Sequence, residues 1–514
     1  MPQNGVMEEN MEKLKELSLE IDNLEQEYSR LSWVQYTTGY DFGVENQYKK
    51  ILEKYSSKSD FEIIAEAYNR KDLDYSDKRR VEILYKSYEP FHLSKEINEL
   101  SEEIEALTTK LSKILNTHRS KLNGCEISSV DIAQILNNED DGEKRKAAYL
   151  ARAQVNEPLV EGGFVELIKL RKEYAKLRGF KDFVEMKLTD DDLNVELFAN
   201  WKNELHAILP NMVKARTEVA NKYLKKDIIM PWDETYVYSK LAPSLNANVD
   251  MSEYFSVLRN FFLRFGIDIG KYNITYDVFP RTNKSEWGYN FPIETGKDSR
   301  ILANVKNKYS EYGVLLHETG HGVHSFLQDS KENILNRGIS GIITEGIANL
   351  FGSFLYDEIF YKDFFDGSKN VNEEFKLYKE YSKINALRAI STIMFDQNLY
   401  RNELNSLEDI NELAFGTQKE YLKEDAFSEE YPWGYRIHHT THPIYLHNYF
   451  MGDVTCEMIR KSFFDKYNCT SIIDKPKEFT EFLINSIISP SGLYKYPDLF
   501  KQISGEDFSL KYML

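Results

Sequence analysis

Val314-Leu315-Leu316-His317-Glu318-Thr319-Gly320-His321-Gly322-Val323-His324 is the stretch on which the reading of this 514-residue chain turns. Its core is H-E-x-x-H. The apolar lead-in predicts a helix, and on a helix positions i and i+4 lie one turn apart on the same face. Both imidazoles can then reach one tetrahedral Zn²⁺, with Glu318 beside the first of them to hold and deprotonate a water. With 10 histidines and 83 acidic residues in the chain, the pattern arises by chance roughly 0.03 times.

A zinc site that does chemistry needs a third protein ligand and an open position. The metzincin pattern requires a histidine ten residues after His317; Leu327 stands there, which excludes that class. Glu345, in Ile343-Thr344-Glu345-Gly346-Ile347-Ala348-Asn349, is the alternative. An ionised carboxylate in so apolar a segment needs a cation, and the metal supplies it. Asn349, one turn on, is read as bonding the far nitrogen of a ligand histidine. His324 lies about 10 Å along the helix from His317, too far to share the ion, and reads as a packed histidine. Gly320 costs about 1 kcal/mol in a helix interior relative to Ala, which predicts close approach of another backbone, that of the Glu345 helix.

Outside this region the chain reads as a string of helices. Leu14, Leu17, Ile21, Leu24, Tyr28 and Leu31 step by three and four, as do Leu93, Ile97, Leu100, Ile104, Leu107, Leu111 and Ile114. The two are expected to pack antiparallel on each other, as a wall or lid over a cleft or as a dimerising coiled-coil hairpin. Residues 128–225 continue helical, with Gly179 ending one run. Strand character is concentrated between Tyr272 and Val305. With no Pro/Gly/Ser-rich linker, residues 1–514 read as one unit of two interlocked lobes, about 1–270 and 271–514.

Composition bounds the rest. Hydrophobic residues at 42%, charged at 29%, 25 Gly and 13 Pro exclude collagen-like, low-complexity and disordered chains. A net charge of −18 repels phosphate backbones and anionic lipid, so neither nucleic acid nor membrane is expected as a partner. The most membrane-like stretch, 338–355, is interrupted by Glu345. Cys125, Cys456 and Cys469 are too few for a disulfide framework, and the N-terminal residues show no apolar signal segment, so a cytoplasmic protein is expected. Oligomeric state is not legible.

The metal motif, Glu345 and their surroundings resemble the gluzincin peptidases, in particular the helical group that includes angiotensin-converting enzyme and thimet oligopeptidase. The likeness is greater to the angiotensin-converting-enzyme family. Gly296-Lys297-Asp298-Ser299-Arg300-Ile301 is similar to its G-K-D-x-R-I segment, His317–His321 to its H-E-x-G-H, Thr344–Asn349 to its E-A-I-G-D, and Leu31–Thr38 to its W-x-Y-x-T. His324, completing H-E-x-x-H-x-x-H, resembles the thimet oligopeptidase pattern instead.

What the resemblance implies is a mainly α, two-lobed zinc peptidase with a deep central channel and a small antiparallel sheet near the active site. It would carry one Zn²⁺ per chain on His317, His321 and Glu345, with Glu318 as the base, and hydrolyse short peptides in an oligopeptidase or dipeptide-releasing manner. His439 and Tyr449 match the family's two donors to the tetrahedral intermediate by their separation, and such donors are also what a developing oxyanion demands. His438 and His442 are rivals for the histidine. Trp287, Gly288 and Asn290 fall where the family has its substrate-aligning edge strand. The chain departs from the pattern at Asn349, where the family has Asp, and at Asn448, where it has the Arg associated with chloride activation. It departs again at Ile437 and Leu446, although Arg436 and Tyr445 stand next to these carboxylate-gripping positions. Alternatives are a single-residue carboxypeptidase, a pathway-specific endopeptidase, or a non-catalytic metal-containing peptide-binding protein.

Overall fold

The structure, a computed structural model, describes every residue but 1, 287 and 366–369, and of 2–10 the backbone alone. It is mainly helical. The helices that matter below are α1 (Pro2–Thr38), α2 (Lys95–Thr117), α3 (Phe164–Leu177), α4 (Trp201–Leu224), α5 (Glu311–Leu327), α6 (Gly341–Ser353), α7 (Ala389–Arg401), α8 (Ile437–Thr441) and α9 (His447–Tyr467). None among the described residues is long and apolar enough to cross a membrane.

Two compact units divide the chain, and neither is a sequence half. One comprises Met1–Leu93, Leu245–Lys369 and Thr455–Asp507; the other Ser94–Ser244, Asn370–Val454 and Phe508–Leu514. The expected boundary near residue 270 is therefore replaced by several crossings. The reason lies in pairing partners. The face of α2 that was expected to meet α1 packs instead on α3 and on the helix Asn156–Gly162, while α1 covers β-sheet and helices of its own unit.

Two small sheets occur among the described residues. In the second unit a hairpin pairs β1 (Ser120–Leu122) with β2 (Cys125–Ile127). Its Asn123-Gly124 turn has φ of 52° and 82°, the double positive φ of a two-residue hairpin turn. In the first unit β3 (Ile274–Asp277), β4 (Tyr289–Glu294) and β5 (Asp298–Leu302) are ordered β3-β5-β4. This sheet is mixed rather than antiparallel, because β3 runs parallel to β5 and only β4 runs antiparallel to it. The buried Lys284 accounts for the parallel pair. Its ammonium donates to the carbonyls of Asp277, at the end of β3, and of Ala303, just past β5, which brings the two C-terminal ends side by side.

The first unit's core is aromatic behind the motif helix. Phe351 and Phe354 of α6 and its continuation pack with Phe261, Phe262 and Phe265, all at most 2% exposed. Burial of each such ring contributes about 1.5–3 kcal/mol.

Candidate active site

Helices α5 and α6 lie against each other because small residues line their contact. A Cβ on Gly320 would sit 3.1–3.2 Å from Phe351 and the Ala348 Cα; the close backbone approach expected of Gly320 is made by the helix that carries Glu345. Ser340 caps the start of α6 through the Ile342 N–H. Apolar side chains on both helices, among them Leu315, Leu316, Ile343 and Ile347, face the core, which leaves His317, His321 and Glu345 on the opposite faces.

His317, His321 and Glu345 each bring a donor atom to within 4.8 Å of the others. His317 Nε2 is 3.7 Å and His321 Nε2 3.6 Å from the two Glu345 oxygens. Ligand atoms around a tetrahedral zinc at ~2.0–2.1 Å lie about 3.3 Å apart, so this donor set fits such an ion. Burial, above all, holds His317 down to about 4 and His321 to about 3, so both rings offer lone pairs at neutral pH. Asn349 hydrogen-bonds the His317 side chain. Burial raises the Glu345 carboxyl. A cation between these three groups would reverse that.

Glu318 is 9% exposed, and burial followed by the nearby Glu345 pushes its carboxyl up to about 7. A general acid–base group works best when its pKa is near the operating pH. The sheet buttresses this helix: Tyr276 and Thr319 hydroxyls are 3.1 Å apart, and Asn290 Nδ2 bonds Ser299 Oγ at 3.0 Å and the Glu318 carbonyl at 3.4 Å. A cavity of about 440 Å³ opens over the motif, lined by His317, Glu318, His321, Glu345, Gly288, Tyr289 and Asn290 among others. Trp287 lies outside the described residues. Among those described, β4 is an edge strand, and its Tyr289 and Phe291 pack edge-on against Tyr36 and Trp33 of α1.

His439, Tyr449, His442, Tyr445 and Arg436 all belong to the other unit. Tyr449, 50% exposed, meets the ring of His438 edge-on at 5.7 Å, and Tyr445 stacks on the same ring. His442 bonds Thr441, and the Arg436 guanidinium lies over Tyr435. His439 is fully buried, with Nδ1 2.7 Å from Asp396. Asp396 was not picked out from the sequence. The signal was there: a carboxylate inside Ile393-Met394-Phe395-Asp396, the same anomaly that singled out Glu345.

Two further buried histidines add to the acid sensitivity of the fold. His324, in the cavity wall, is held at about 4 and His447 at about 3, both chiefly by burial. The folded chain therefore binds fewer protons than the unfolded one between these values and about 6.5, and stability falls as pH drops through that window. At pH 5 each costs about 2 kcal/mol. His447→Phe, which keeps a ring against Phe198, should flatten the fall in stability between pH 7 and 5 by about 2 kcal/mol; denaturant titrations with an unchanged pH slope would refute this.

A helix-borne H-E-x-x-H whose histidines converge on a glutamate from the next helix, in a helical fold, defines a metallopeptidase of the gluzincin kind. The chain belongs to peptidase family M3, whose model matches residues 135–269 and 270–468. This match gives no separate support to the likeness with angiotensin-converting enzyme. Among solved structures, the chain is similar to the M32 carboxypeptidase from Deinococcus radiodurans R1, with a TM-score of 0.65 and 13% identity, covering 98% of this chain and 97% of that one. It is also similar to PZ peptidase A bound to an inhibitor, with a TM-score of 0.67 and 17% identity, covering 99% and 90%. At these identities the likeness is one of fold. No curated protein matches the sequence.

Proposed function

We propose that this chain is a zinc-dependent oligopeptidase that hydrolyses peptide bonds in short peptides. The observation that carries the reading is the convergence of His317, His321 and Glu345 beside a Glu318 whose carboxyl is raised to about 7. Zinc held there would supply Lewis-acid polarisation of the scissile carbonyl and bring the pKa of water towards about 7. Glu318 takes the proton of the attacking water and returns it to the leaving amine. Gly288 and Asn290, with Trp287 preceding them, are proposed to align the substrate main chain along the β4 edge.

His439 and Tyr449 are the proposed donors to the oxyanion, and Arg436, Tyr445 and His442 the proposed contacts for the substrate's C-terminal end. Tyr449→Phe should lower kcat about 10²–10³-fold and leave KM nearly unchanged. Unchanged turnover would move the role to Tyr445, and a larger loss in His438→Ala than in His439→Ala would move the histidine's role to His438.

Arg436, a fixed cation close in sequence to these donors, also suits a single-residue carboxypeptidase, the activity carried in the name of the Deinococcus neighbour. Mass spectrometry of products from peptides with free and amidated C-termini separates the modes. Cleavage of amidated peptides at internal bonds supports the oligopeptidase. Loss of one residue from free C-termini alone supports the carboxypeptidase. A cytoplasmic location is part of this proposal.

A further inference from the structure

Asp396 is 1% exposed in the middle of α7, and both of its oxygens are engaged. Oδ1 accepts from His439 Nδ1 at 2.7 Å, and Oδ2 accepts the Ile444 N–H at 2.7 Å. Ionised groups are costly to bury, and a carboxylate kept in an apolar helix needs partners of this quality.

Each partner is unusual in its own right. His439 has no solvent exposure, its ring is edge-on to Phe395 at 5.2 Å, and its Nε2 has no protein partner. Fixing Nδ1 on Asp396 sets the ring's rotation and makes Nε2 its one uncommitted polar atom. An unpaired polar atom this deeply buried calls for an explanation, of which reservation for a bound molecule is one. Ile444 has φ of +56°, a conformation that β-branched residues avoid. Such strain persists only where the surroundings over-determine the backbone. Ile444 lies in the turn joining α8, which carries His439, to α9, which carries Tyr449. A second tie holds α8 in place: Arg171, on α3, donates to the Thr440 carbonyl at 2.6 Å and to the Tyr400 hydroxyl at 3.0 Å.

We propose that Asp396 is the positioning residue of the donor pair, one oxygen orienting the His439 ring and the other fixing the strained turn that leads to Tyr449. The inference rests on the reading of His439 and Tyr449 as donors in peptide hydrolysis. A merely structural ion pair would stabilise the fold but leave turnover by the folded, zinc-loaded enzyme untouched.

The test is a double-mutant cycle on zinc-loaded enzyme with a quenched peptide, using Asp396→Asn, His439→Gln and the double variant, with zinc content and Tm measured for each. His439→Gln keeps a hydrogen-bonding partner for Asp396. We expect each single variant to lower kcat about 10–100-fold with KM within about twofold, and the double variant to be no slower than the slower single. Wild-type kcat in Asp396→Asn, or losses that multiply in the double variant, would overturn the proposal. If Asp396→Asn does not fold, His439→Gln decides: a folded variant with wild-type kcat overturns it, because Asp396 would then have no donor to position. Glu318→Gln separates this failure from that of the parent reading. Hydrolysis that needs Glu318 but not His439 or Asp396 sinks the inference alone, whereas wild-type enzyme without Glu318-dependent hydrolysis sinks both.

Discussion

Glu318→Gln will bind zinc as the wild type does and lose nearly all peptide hydrolysis, with kcat down by roughly 10²–10⁴. The carboxyl is not among the converging metal donors, so its amide isostere leaves the three ligands and their spacing in place. What the substitution removes is the group that accepts the water proton and returns it to the amine. Burial and the Glu345 charge are what raise this carboxyl to about 7; Gln has no proton to exchange at any pH. Measured kcat/KM alongside zinc content decides the matter. Wild-type turnover with full zinc would transfer the base to another residue, and loss of zinc would show that Glu318 holds the ion.

Glu345→Gln should act in the opposite sense, releasing the metal rather than the proton. Its two oxygens are the ones that face His317 and His321 Nε2 at 3.7 and 3.6 Å, and its charge offsets that of the ion. We expect zinc to be lost on desalting, hydrolysis to fall with it, and excess zinc to restore part. The loss in affinity should exceed the ~10–100-fold typical of changes one shell further out. The metal-free proteins should rank the other way in stability. Because burial raises the Glu345 carboxyl, the folded metal-free wild type binds more protons than the unfolded chain above about pH 4.5, so its stability falls as pH rises through the raised value. Glu345→Gln lacks that cost, so without metal at pH 8 its Tm should exceed the wild type's. A variant that keeps one zinc per chain through desalting contradicts the assignment of the ligand.

Much of this site could be read before any coordinates because its parts are local. His317, Glu318 and His321 are fixed by one turn of one helix, Gly320 by the space that helix leaves for its neighbour, and Glu345 by the improbability of a charge in an apolar segment. Where the determinants lie far apart in sequence, the reading failed. The parallel pairing of β3 with β5 is tied by Lys284 reaching carbonyls at the neighbouring ends of both strands, and no alternation of residues within a strand reports that. The heptad face of α2 shows that the helix is buried on one side, not which helix buries it. Asp396 could have been found by the same argument as Glu345. It was missed because its partner is a histidine 43 residues away, not one that a metal motif had already marked. The Asn-Gly turn of the β1–β2 hairpin was legible and was passed over among stronger helical signals.

Zinc content and hydrolysis of a quenched peptide library, measured on one sample before chelation, after chelation and after zinc is returned, decide whether this chain is a zinc peptidase. One zinc per chain is expected, with cleavage that disappears with the metal and reappears with it. A chain that holds one zinc yet cleaves no member of the library, with or without chelator, would rule out the peptidase and make the metal a structural part of a peptide-binding protein.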